Sequence, residues 1–186
     1  MRYFLAILLW ASAGLAPAQE FPTFQPTSIL IVSQEVLFSE TALGKDILAL
    51  EQSERDALIA ESRQIGAAFV EEEFKLTEMR DTLSPDEFRR LADAFDEKVV
   101  AARAAQDAND STLIANIEAR RRAFYRVIAP VLARLMQQYN ATVIIDRRTV
   151  LLFDNNLDIT SEAVQFLDNA YKENPDMLDM LGTENE

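Results

Sequence analysis

Carboxylates are the only side chains in this sequence numerous enough to do acid–base chemistry. The 186 residues include 31 Asp and Glu but no His and no Cys, which removes His-dependent triads, thiol catalysis and His/Cys zinc sites together. Four Gly in the whole chain are too few for a glycine-rich phosphate loop or a dinucleotide fingerprint. What remains is acidic clusters: Glu71-Glu72-Glu73, Asp86-Glu87, and Asp93 with Asp96. A catalytic pair needs two acids in environments that push their pKa values apart. These acids stand among Lys and Arg at helical spacing, the pattern of a solvated helix face. The chain therefore reads as a non-enzyme, with no catalytic residue, no metal site and no cofactor expected.

Arg2, the apolar run from Phe4 to Trp10 and the small residues ending at Ala16-Pro17-Ala18 have the layout of a secretory leader over residues 1–18, cleaved near Gln19. The run is shorter than the ~20 apolar residues that span a bilayer. Export is expected, with no disulfide framework and no membrane anchor. The formal net charge of −13 repels nucleic acid and anionic lipid overall. Yet 49% of the residues are hydrophobic, too many for a disordered acidic chain, so a core must be buried.

Those acids belong to two long helices. From Thr41 to Thr82 strong helix formers dominate, and Leu43, Ile47, Leu50, Leu58, Ile65, Phe69, Leu76, Met79 and Leu83 mark a narrow, heptad-like apolar seam. Ser84-Pro85-Asp86-Glu87 breaks it with a capping box and a proline suited to the first helical position. A second seam follows through Phe88, Leu91, Phe95, Val99 and Ala102, then from Leu113 to Leu135. With only a tight turn between them, the helices should return antiparallel as a hairpin over 41–140, its tip at 83–87. The polar run Gln106 to Asp110 interrupts the second seam and Gly66 weakens the first, so a hinge is expected at Gly66. Pro130 is expected to kink the base.

Short strands flank the hairpin. Ile29-Leu30-Ile31-Val32 follows an extended lead-in, the two together covering 19–40. Past Asn140, Thr142–Asp146 and Val150–Phe153 read as a β-hairpin turning at Arg147-Arg148, before a last helix to Tyr171 that closes the segment 141–173. An acidic, frayed tail covers 174–186. The fold class is mainly α with a small β body (α+β), the helical hairpin projecting from it. Three short strands cannot stand alone, so Ile29, Ile31, Val143, Ile145, Val150 and Leu152 are expected to mediate oligomerisation. On the outer half of the hairpin a two-helix seam cannot bury every large side chain, which makes Phe69, Phe74, Met79, Phe88 and Phe95 candidates for gripping apolar partners.

The first strand with its trailing Ser39…Gly44-Lys45, the Leu83-Ser84-Pro85 tip, the Ala141-x-Val143-Ile144-Ile145-Asp146 strand and Leu157-Asp158-Ile159-Thr160 together resemble the Skp/OmpH family of periplasmic chaperones for outer-membrane proteins. The resemblance covers essentially the whole mature chain. It implies a periplasmic homotrimer whose strands share one body and whose hairpins surround unfolded outer-membrane proteins without ATP or metal. Asn140 stands where Gly is common in the family, and Ser33 where an acid or Asn is frequent. The chain is also strongly acidic where familiar members carry basic tentacles, although Lys75, Arg80, Arg89, Arg90 and Lys98 lie near the tip. A rival reading is a structural adaptor whose hairpin spaces two envelope components and holds no client.

Overall fold

The computed structural model describes residues 28–181; the expected secretory leader, the expected lead-in before Ser28 and the end of the expected acidic tail lie outside the described residues. The order is β1 (Ile29–Val32), α1 (Gln34–Glu40), α2 (Ala42–Met79), α3 (Pro85–Gln138), β2 (Val143–Asp146) and α4 (Thr160–Glu173), with short 3₁₀ turns on both sides of α4. Ser33 starts α1, its Oγ accepting from the Val36 N–H at 3.3 Å. Thr41 turns the chain into α2: its hydroxyl donates to the Leu37 carbonyl at 2.7 Å and accepts from the Gly44 N–H at 3.2 Å. The chain then passes so close to itself that a Cβ on Gly44 would lie 1.8 Å from the Phe38 carbonyl oxygen. Only glycine fits there.

The two long helices have 38 and 54 residues, which at ~1.5 Å per residue is roughly 57 and 81 Å. The boundary at Ser84 is as expected. Its Oγ caps the Glu87 N–H, the Glu87 carboxylate accepts from the Ser84 N–H, and Pro85 takes the first turn. Glu54 pairs with Arg120 and Phe69 with Phe95, so rising positions on α2 meet falling positions on α3. Leu58, Ile65, Phe69 and Leu76 of α2 and Phe95, Val99, Leu113 and Ile117 of α3 are all half-buried. Leu50, Met79 and Leu91, expected in the seam, are exposed: two helices shield only a narrow stripe, and residues on its flanks stay wet. Neither Gln106–Asp110 nor Pro130 ends α3, which is continuous through both.

The body is helical, where the sequence reading expected one built of strands. Phe124, Ile128 and Leu135 of α3 meet Leu37 and Phe38 of α1, Ile47 of α2 and Leu167 of α4 in one buried cluster; the Phe38 and Phe124 rings meet edge to face at 5.1 Å. Each fully buried side chain of this cluster contributes about 1.5–3 kcal/mol. The sheet has two strands, parallel, with Ile29 opposite Val143 and Ile31 opposite Ile145. Leu30 and Val32 point into the cluster, so the four paired residues share the other face.

The β-hairpin expected over 142–153 does not form. Asp146 holds both the Arg148 N–H and its guanidinium, winding Arg147–Thr149 into a 3₁₀ turn. The chain leaves the sheet there instead of reversing along it. Asn140 ends the arm in the left-handed region with φ 51°, a conformation Asn tolerates. The tail expected to fray from Asn174 is instead packed as far as Leu181: Met177 is buried in the core, with Leu178 and Leu181 against it.

Candidate functional site

Of the five proposed gripping residues, three are placed in the seam. Phe69 and Phe95 stack edge to face at 5.8 Å, and Phe88 is half-buried nearer the tip. Phe74 is 62% exposed and Met79 stands at the edge of the seam. Sequence reasoning missed four others: Ile59, Val70, Val100 and Ile114, all exposed. The signal was present as doublets. Leu58-Ile59, Phe69-Val70, Val99-Val100 and Leu113-Ile114 each put one apolar residue in the seam and the next ~100° around the helix. Because the helices meet in opposite directions, the second member of each doublet turns to the same side of the arm. That side carries a discontinuous apolar stripe interrupted by charged residues, beside open hollows of about 480 and 470 Å³, the first lined by Leu58, Ile59 and Leu113 with Arg55, Arg63 and Asp110, the second by Phe69, Val70 and Val99 with Glu73, Asp96 and Arg103. Gly66 lies on the second hollow, with nothing within 4 Å of where a Cβ would stand.

Three of the five basic residues noted near the tip are paired with acids on the arm. Lys75 binds Glu71 at 2.6 Å, Arg89 meets Asp86 at 3.5 Å and Lys98 pairs with Glu72. The Glu71 carboxyl is held below its usual range by the hydrogen bond from Lys75. These are exposed pairs of small energetic weight, and no anion site emerges from them.

Among the proposed assembly residues, Ile29 and Val143 are exposed and adjacent, Ile145 and Val150 are half-buried, and Leu152 is almost fully exposed. Ile31 differs: at 1% exposure it is buried within its own protomer. Leu151, which the sequence reading passed over, is fully exposed beside Leu152, while Arg147 covers the Phe153 ring at 5.6 Å and reaches Asp158 at 3.4 Å.

The arm is anchored by long-range bonds. Asp168 of α4 accepts from the Ala42 N–H at the start of α2 (2.7 Å), Tyr171 donates to Asp46 (2.8 Å), and Thr160 Oγ1 accepts from the Ser33 N–H (2.9 Å). Burial, then the bond to Asp46, pushes the Tyr171 hydroxyl up to about 12, so it stays a donor across the physiological range. Among the described residues, no cluster of three or more acids is placed to hold a metal, and no helix is long and apolar enough to cross a membrane.

Two long helices on a small helical core, with a two-stranded parallel sheet at its edge, define the class of fold. A crystal structure described as an OmpH-like outer-membrane chaperone from Caulobacter crescentus shares it, with a TM-score of 0.73 and 20% identity over 87% of this chain and 92% of that one. No protein-family model and no curated protein matches the sequence. The resemblance to the Skp/OmpH family read from the sequence thus holds at the level of fold.

Proposed function

We propose that this protein is an ATP-independent periplasmic holdase that binds unfolded outer-membrane proteins and keeps them from aggregating during envelope assembly. The observation that carries this reading is the apolar stripe on one side of the arm, where Ile59, Val70, Val100 and Ile114 stand exposed with Phe74 near them. Each can make only a weak apolar contact, so a partner held through them is held by many contacts shared along the arm. Dispersed side chains on a long arm suit an extended, changeable client better than one compact ligand. The exposed Leu151 and Leu152, with Ile29 and Val143, provide the surface through which protomers assemble, as a homotrimer, into a body from which antiparallel helical tentacles surround the client.

The test joins Ile65 to Ala102 by a short turn, deleting the outer arm and leaving the body intact. The oligomer should persist by native mass measurement while protection of an unfolded β-barrel protein, followed by light scattering without ATP, is largely lost. Wild-type protection should survive high salt, because apolar contacts are not screened. Full protection by the tipless oligomer would refute the reading and favour the client-free spacer.

A further inference from the structure

Where α2 and α3 leave the body, the seam between them is charged. Glu51 is buried there at 6% exposure, and Glu54 pairs with a largely shielded Arg120 across the same layer. Glu51 Oε1, Glu54 Oε2 and Arg120 Nη1 are all buried without a hydrogen-bond partner. On the body side lie Ala123 and Phe124, both fully buried; on the arm side Leu58 and Leu113 are half-buried. An apolar residue at position 51 would continue the seam and avoid the cost of taking a carboxylate out of water. Packing alone therefore gives no reason for Glu51.

The charges acting on Glu51 are Arg120 and Arg121 from α3 and Arg55 and Glu54 from its own helix. Burial raises its pKa above the ordinary carboxylate value, and Arg120 is the largest influence in the opposite direction. Glu51 Oε1 and Arg120 Nη1 are both without a partner and so do not reach each other, which leaves an ionised Glu51 buried without a donor on that oxygen. Protonation removes the cost of that uncompensated charge.

We propose that the Glu51–Glu54–Arg120 layer is a proton-sensitive joint: with Glu51 ionised the neck is loosely held and the arm pivots on the body, and with Glu51 protonated the layer closes and the arm stiffens. The direction follows from linkage. A carboxyl whose folded pKa is raised binds its proton more tightly in the packed neck, so tightness is complete below the ordinary value of 4.5. It is lost as pH rises through the folded value. The joint belongs to the neck and stands independently of what the arm holds.

Amide exchange on the full mature protein tests this, with rates corrected for the intrinsic effect of pH and read in peptides covering residues 47–58 and 116–124. Wild-type protection should increase as pH falls from neutral toward the ordinary carboxylate value of 4.5, by up to about tenfold for each unit separating the folded and unfolded pKa. E51Q should be as protected near pH 7.5 as acidified wild type and lose the pH dependence. E118Q, which changes an exposed acid on α3, should follow wild type. A flat wild-type profile, an E51Q neck that keeps the wild-type slope, or an E51Q chain that fails to fold each overturns the proposal, because it holds the charge to be the loosening element.

Discussion

Phe69 and Phe74 lie five residues apart on one helix and separate the work of holding the arm together from the work of holding a client. Truncating a fully buried Phe to Ala costs about 3–5 kcal/mol. Phe69 is half-buried, so about 2 kcal/mol is expected from Phe69→Ala, of which ~1 kcal/mol reflects the edge-to-face pair with Phe95. Phe74 is 62% exposed and keeps little more than a third of its burial, which at about 1.5–3 kcal/mol for a whole side chain leaves under ~1 kcal/mol. Denaturant unfolding and amide exchange along α2 and α3 should therefore report a weakened arm in the first variant and a near-normal one in the second. Light scattering of an unfolded β-barrel client should show the reverse order, with Phe74→Ala the poorer protector at a temperature where both arms are formed. A double substitution with Phe95→Ala should be less than additive for Phe69 and additive for Phe74. If Phe74→Ala destabilises the arm as much as Phe69→Ala does, or leaves protection intact while Phe69→Ala abolishes it, the division between seam and stripe is wrong.

Leu152→Asp should dissociate the oligomer in sedimentation while leaving the protomer folded, since an exposed position tolerates charge within about 0.5 kcal/mol. Ile31→Asp should instead unfold the protomer itself, because the charge is buried at a cost of several kcal/mol; a folded, monomeric Ile31→Asp would place that side chain at the interface after all. The two glycines should separate just as sharply. Gly66→Ala meets no neighbour within 4 Å and should stabilise α2 by ~1 kcal/mol, slowing local exchange and removing the expected hinge. Gly44→Ala drives a methyl into the Phe38 carbonyl and should cost about 2–3 kcal/mol in thermal unfolding.

What was legible in the sequence was whatever local chemistry decides. The capping box at Ser84 and Glu87, the left-handed stop at Asn140 and the 3.6-residue rhythm of Leu58, Ile65 and Phe69 depend on neighbours a few residues away. The strand expected at Val150–Phe153 rested on β-branched and aromatic content, which describes a surface that suits pairing and not a partner; the turn held by Asp146 takes that segment away from β2. The apolar doublets were visible as letters, but which member faces water is fixed only once two helices define a seam. Glu51 is not singled out by any sequence pattern among the acids of α2. Its burial comes from α3 residues some seventy positions on, and no local pattern records it.

The bonds from α4 to the starts of α1 and α2 span 125 to 127 positions, joining Ser33 to Thr160, Ala42 to Asp168 and Asp46 to Tyr171. Closing so long a loop is slow when nothing shortens it first, because its entropy must be overcome before any contact is gained. The arm shortens it: once α2 and α3 meet, the Glu54–Arg120 pair brings the two ends of the body together. The order of events follows from that geometry. A chain made from its N-terminus can zip the arm while its last helix is still to come, but β1 has no β2 to pair with until α3 is complete. The body is thus the last part to form, and a chain lacking α4 would emerge as a paired arm with an open core at its root.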